Sequence, residues 1–97
     1  MEIIIDTREK SPLSFSFFDC STVTKKLDTG DYTTEALKDV FAVERKATTT
    51  ELAMNFGNNV KRKRFYNEME RLQEYDHPYI LCEFPESWLI MYPKLNE

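Results

Sequence analysis

Between Val60 and Tyr75 the apolar side chains Phe65, Met69, Leu72 and Tyr75 recur in steps of three and four, and an apolar run from Tyr79 to Phe84 follows almost at once. The first pattern is that of an amphipathic helix, the second that of a short buried strand. His77-Pro78 closes the helix between them. A helix with one apolar face needs a surface to cover, and a strand that follows helices points to a mixed sheet packed against them. The remaining strands must come from the same unit, because 97 residues hold one domain with a modest core and no second fold.

Glu2 to Asp6 supplies the first strand, rich in β-branched residues and ended by the polar run Thr7 to Pro12. Residues 13–20 carry Phe15, Phe17 and Phe18, expected to pin a loop to the core rather than to stack on bases. Val23 to Leu27 looks extended, Thr29-Gly30 turns, Asp31 to Leu37 alternates loosely, and Lys38-Asp39 forms a hairpin tip before Val40 to Lys46, so the middle of the chain reads as a β-meander. Thr48-Thr49-Thr50-Glu51 then has the form of a capping box, and Gly57-Asn58-Asn59 is a natural stop. The order is β, β-meander, two helices, β. The expected class is α/β, a mixed β-sheet flanked by helices.

No apolar run approaches the roughly 20 residues needed to span a bilayer, and the first residues lack the basic and apolar regions of a secretion signal. The chain is expected in the cytoplasm, or the nucleus if eukaryotic, with Cys20 and Cys82 reduced. The net charge of −4 argues against bulk attraction to nucleic acid, but its distribution does not. Residues 1–60 hold 7 basic and 10 acidic groups and residues 65–97 hold 2 and 7, whereas Lys61, Arg62, Lys63 and Arg64 are four bases in a row. Positive charge at a helix start opposes the helix dipole. Phosphate contact is a reason for it to be there.

Glu44 and Lys46 flank Arg45 on the last strand of the meander, and side chains two apart on a strand share a face. A hairpin centred near Lys38-Asp39 brings Asp31 opposite that end. Two carboxylates and a lysine then converge, a set suited to phosphodiester hydrolysis. Carboxylates hold Mg²⁺, with Mn²⁺ expected to substitute, and the lysine positions the nucleophile or offsets charge in the transition state.

Ile3-Ile4-Ile5-Asp6-Thr7-Arg8-Glu9, Gly30-Asp31-Tyr32 and Val43-Glu44-Arg45-Lys46 occur in that order and resemble the D-x-R-E, G-D-Y and V-E-R-K elements of the XPF-type structure-specific endonuclease domain. The stretch Lys61 to Leu72 is similar to that family's basic amphipathic helix, and Tyr79 to Phe84 to its following core strand. The resemblance spans residues 3–84. It implies the restriction-endonuclease-like fold and Mg²⁺-dependent cleavage of branched, flapped or forked DNA. It further implies that Asp31 and Glu44 ligate metal, that the Arg45 carbonyl adds a third ligand, that Lys46 is the catalytic lysine, and that Asp6 stands beside them. The family's pattern continues with three residues and then an Asp after E-R-K, where this chain has Thr50. A one-residue insertion shifts that role to Glu51 as an accessory acid; if Thr50 is the true equivalent, one acid is lost.

Three functions compete on this reading. The first is a metal-dependent DNA endonuclease. The second is a catalytically silent DNA-binding or dimerisation module, and the third an RNA-processing nuclease. The family's domain is usually longer, so residues 1–97 are expected to be a single nuclease-like domain shortened at its C-terminus, relying on a homodimer or a partner protein for further DNA contacts.

Overall fold

The computed structural model of the protein describes residues 1–85. Strands β1 (Glu2–Asp6), β2 (Ser21–Lys25), β3 (Tyr32–Thr34), β4 (Phe41–Lys46) and β5 (His77–Cys82) form one sheet, and helices α1 (Thr49–Met54) and α2 (Asn59–Gln73) lie between β4 and β5 in sequence. The spatial order is β2-β1-β3-β4-β5. The pairs β1–β3 and β3–β4 are antiparallel, whereas β1–β2 and β4–β5 are parallel. The expected α/β class with a mixed sheet and two helices is therefore present. The last twelve positions of the expected 1–97 unit lie outside the described residues.

The middle strands differ from the expected meander. β3 and β4 do form the hairpin, turning through residues 35–40, but β2 lies at the far edge with β1 between it and β3. Burial explains the insertion. Ile3, Ile4 and Ile5 are all buried, so β1 needs a partner along each edge and cover on both faces, which only a central strand receives. Residues 7–20 are long enough to return to the start of β1, and β2 then runs parallel to it from the Glu2–Ser21 pair to the Asp6–Lys25 pair.

Two further expectations are corrected. β5 starts at His77, and among the described residues it is an edge strand with all six of its residues exposed, not a buried one. Pro78 is tolerated there because an edge strand can forgo an amide donor. In the loop before β2, the Phe15 ring meets Tyr32 edge-on, with 6.0 Å between centroids, while Phe17 is 95% and Phe18 66% exposed. The Phe18 N–H donates to the Phe15 carbonyl at 3.0 Å, a turn that leaves only Phe15 against the sheet.

Both helices begin on side-chain caps. Thr48 Oγ1 accepts from the Glu51 N–H at 3.0 Å, and Asn58 Oδ1 accepts from the Lys61 N–H at 2.8 Å. Asn58 thus starts α2 besides ending the preceding turn. α2 buries Phe65 and Leu72. Cys20 and Cys82 are free thiols. Among the described residues no helix is long and apolar enough to cross a membrane.

The hairpin's aim depends on Gly30, the one described residue with positive φ, at 79°. A Cβ there would lie 3.0 Å from the Val43 carbonyl oxygen and 3.3 Å from Ala42 Cβ, tighter than ordinary contact, so its neighbours would have to give way. Gly30→Ala is expected to lower the unfolding free energy by about 2–3 kcal/mol, the left-handed penalty plus the clash. Chemical denaturation measures it, and an unchanged midpoint would mean that the turn tolerates a side chain.

Candidate active site

Asp31 follows Gly30 directly, and its position is fixed from three sides. Its N–H donates to the Val43 carbonyl at 2.7 Å, its own carbonyl accepts from the Asp6 N–H at 2.9 Å, and its carboxylate Oδ2 accepts from the Arg45 N–H at 2.8 Å. The start of β3 is thereby tied to both β1 and β4. Glu44 and Lys46 share a face of β4, with Lys46 Nζ 3.5 Å from Glu44 Oε1. Asp31 and Glu44 line one cleft of about 170 Å³, with Arg8, Glu68, Met69 and Leu72 around them. The hairpin register thus brings Asp31 and Glu44 to one cleft, with Lys46 beside Glu44 and lining an adjoining one.

Lys46 is only 5% exposed. Burial of an ammonium is costly unless it is paired, and Glu44 is the carboxylate in reach. Burial pushes the Glu44 carboxyl up to about 7, helped by the negative charge of Asp31 and opposed by Lys46. Asp31 is raised too, first by burial and then by the charges of Glu9 and Asp6, with the Arg45 N–H acting the other way. Two half-buried carboxylates that are both pushed up despite Lys46 nearby and Arg8 and Arg71 in the cleft wall form a donor set that a divalent cation would relieve. Mg²⁺ commonly takes one or two protein carboxylates and completes its shell with water and substrate phosphate, so the residues fit such an ion. Among the described residues no group of three or more His, Cys, Asp or Glu side chains is spaced to hold a metal.

Asp6 and the Arg45 side chain stand apart from that cleft. Asp6 is fully buried, and its carboxylate accepts from Arg8 Nε at 2.6 Å, the Arg8 N–H at 3.2 Å and the Leu27 N–H at 2.8 Å. Burial alone would push its carboxyl up, but these donors together hold it below the ordinary carboxylate range. Asp6 thus fixes Arg8 at the rim of the acidic cleft. The Arg45 guanidinium points to the other face of β4, where it donates to Glu9 at 2.9 Å, to the Ser11 carbonyl at 2.6 Å and to Glu83. Glu83 first, then Glu9, raises its basicity further. The Tyr32 hydroxyl donates to Glu9 at 2.7 Å and accepts from the Leu13 N–H at 3.0 Å, closing a polar network over the loop after β1.

The basic run divides. Lys61 and Arg64 face a second cleft of about 290 Å³ between α1 and α2 that also contains Lys46, Glu51, Phe65 and Glu68. Arg62, Lys63 and Arg64 are all exposed, Arg64 at the rim of that cleft, and Arg62 donates to the Phe56 carbonyl at 3.4 Å. Glu51 borders this cleft while its Oε2 accepts from the Ala47 N–H at 3.0 Å, so part of its carboxylate is engaged in capping α1. Glu68 borders both clefts, and its charge adds to the upward push on Glu44. It stands three residues after Phe65 and four before Leu72, an acid on the apolar stripe of α2; that misplaced polarity was its signal in the sequence.

The ERCC4 domain profile matches residues 5–95. No curated protein matches the chain. Among solved structures, XPF from Aeropyrum pernix superposes with a TM-score of 0.68 at 22% sequence identity, covering 99% of this chain and 45% of that one. The chain therefore spans less than half the length of that structure, and the likeness is one of fold. With the family profile running from β1 past β5 over the hairpin and both helices, the chain belongs to the ERCC4 domain family of XPF-type nuclease domains.

Proposed function

We propose that the protein is a divalent-metal-dependent endonuclease that hydrolyses phosphodiester bonds in branched, flapped or forked DNA. The observation that carries this reading is the convergence of Asp31, Glu44 and the buried Lys46 at one end of the β3–β4 hairpin in a member of a nuclease family. A silent module has no physical reason to keep a buried lysine against two half-buried acids, since that arrangement costs stability.

Asp31 and Glu44, with the Arg45 carbonyl, are assigned to hold Mg²⁺ or Mn²⁺. When bound, such an ion polarises the scissile phosphate and acidifies a water. The Arg45 N–H keeps Asp31 Oδ2 turned to β4, leaving the carboxylate in one orientation. Lys46 supplies a fixed ammonium that orients the attacking water or offsets charge growing on the phosphate. Asp6 acts through Arg8, which it holds at the rim of the acidic cleft. Lys61, Arg62, Lys63 and Arg64 are assigned to backbone phosphates, Lys61 from the cleft next to Lys46 and Arg64 from its rim. In that cleft Asn55 Oδ1 is buried with no hydrogen-bond partner among the described residues, which supports a polar occupant. Glu51 is assigned the accessory acidic role from its border position. A homodimer or a partner protein is assigned the remaining DNA contacts.

One observation favours the silent alternative. Thr50 stands where the family has an acid, and Glu51 commits an oxygen to a helix cap. Lys46→Ala separates the two readings. A group that acts mainly in the transition state should lower kcat by about 10²–10³ when removed, with binding of the same forked DNA in Ca²⁺ little changed. Cleavage equal to wild type, or no cleavage by the wild type in Mg²⁺ or Mn²⁺, would establish the silent module.

Glu44 gives a prediction about stability. Its folded-state value of about 7 lies above the ordinary 4.5, so the folded form binds the proton more tightly. The destabilisation is therefore full above pH 7 and absent below pH 4.5. Through Glu44, stability in EDTA is expected to fall by about 1–3 kcal/mol between pH 4.5 and pH 8, and Glu44→Gln, which leaves Lys46 without its carboxylate at every pH, should remove that slope. Millimolar Mn²⁺ should stabilise the wild type and leave the variant unaffected. Thermal melts read both, and equal Mn²⁺ stabilisation of the two proteins would remove Glu44 from the ligand set.

Replacing Lys61 and Arg64 together by Ala should flatten the slope of log K against log[salt] for DNA binding by up to about 2 units, near one per phosphate contact. Mn²⁺ affinity should be unchanged. An unaltered slope would return both residues to a solvated helix face.

A further inference from the structure

Lys46 has a second neighbour that the metal and phosphate chemistry does not use. Its ammonium lies 5.7 Å from the ring centroid of Phe65, which α2 brings over the end of β4. Phe65 is itself 8% exposed, and Phe56 packs against its ring edge at 5.0 Å between centroids. A lysine ammonium sits on a flexible four-carbon stem and is a poor catalytic group until that freedom is removed. Glu44 alone holds it loosely, at 3.5 Å on one side. The ring supplies the other side, attracting the cation through its negative face while adding no acceptor that would compete for its protons.

We infer that Phe65 is a positioning residue for Lys46, fixing the ammonium through a cation–π contact so that its protons face the cleft shared with Lys61 and Arg64. The inference rests on the endonuclease reading for its kinetic consequence but not for its geometry. Phe65 lies on the helix that carries the basic run, one residue after Arg64. DNA that engages Arg64 therefore bears on the same turn of helix that holds the lysine. The sequence pattern alone assigns Phe65 to the core, and it is in the core; the functional content lies in what its face touches.

The test replaces Phe65 by 3,4,5-trifluorophenylalanine, which keeps the ring's shape and weakens its negative face, and in parallel by Leu and by Tyr. Cation–π contacts of buried groups correspond to about 3–30-fold in rate if the contact is kept in the transition state. On a forked DNA, kcat should fall by that factor in Phe65→Leu and by an intermediate factor in the fluorinated protein. KM should be unchanged, and Phe65→Tyr should restore the rate. Phe56→Leu, which removes a packing ring that does not face the ammonium, should lower the melting temperature without lowering kcat. The NMR signal of the Lys46 ε-methylene should be shifted upfield by the ring in the wild type and in Phe65→Tyr, and return to the ordinary lysine position in Phe65→Leu. A fluorinated protein with wild-type kcat, or a Lys46 signal that is the same in Phe65→Leu as in the wild type, would overturn the inference. If the wild type cleaves nothing, the NMR shift still decides the geometry, and only the endonuclease reading fails.

Discussion

Placing two carboxylates and an ammonium together out of bulk water at the end of a small hairpin is unfavourable unless the groups are held close enough to offset one another. The fold meets that condition with backbone rather than with extra charge. Gly30 turns with positive φ so that Asp31 reaches the Val43 carbonyl and the Arg45 N–H, and those bonds set the register in which Glu44 and Lys46 share a face with it. Charge repulsion that remains is visible in Glu44, whose carboxyl is pushed up to about 7 by burial and by Asp31. A site left partly unrelieved in this way is a common consequence of selecting for chemistry over stability.

Around that seam the polar groups divide into those that build and those that are left to act. Asp6 belongs to the first kind, since its carboxylate is fully occupied by Arg8 and Leu27. So does the Arg45 side chain, gathered with Glu9, Glu83 and Tyr32 on the opposite face of β4. Asp31, Glu44 and Lys46, the proposed site, belong to the second. The alternation of a strand separates the two sets, so a single strand of six residues carries a structural arginine between an acid and a lysine that share the opposite face and line adjoining clefts.

Much of this could be read from the linear pattern because it is local. The capping box at Thr48, the β3–β4 hairpin and the helix through Phe65 and Leu72 depend on neighbours a few residues away, and they formed as the pattern indicated. The pairing of β2 with β1 was not legible, because it depends on where a long loop returns and on β1 needing cover on both sides. The exposure of β5 and of Phe17 and Phe18 failed for a related reason: an apolar residue in a strand or loop reveals nothing about whether anything lies against it. Glu68 was missed because an acid on a helix reads as solvated, and only the packing of α2 brings it between the two clefts. The placement of Asp31, Glu44 and Lys46 at one end of the hairpin was legible as a motif in order along the chain, and the fold adds the distances.

The central claim is that the acid pair beside Lys46 is a cation site. Crystals of the protein grown with Mn²⁺ and measured at a wavelength above the manganese absorption edge test it most directly. The account predicts an anomalous density peak in contact with both Asp31 and Glu44, at oxygen distances of about 2.1 Å, with the Arg45 side chain still turned to Glu9. A peak confined to other carboxylates, or none at saturating Mn²⁺ with Asp31 and Glu44 both in place, would contradict it.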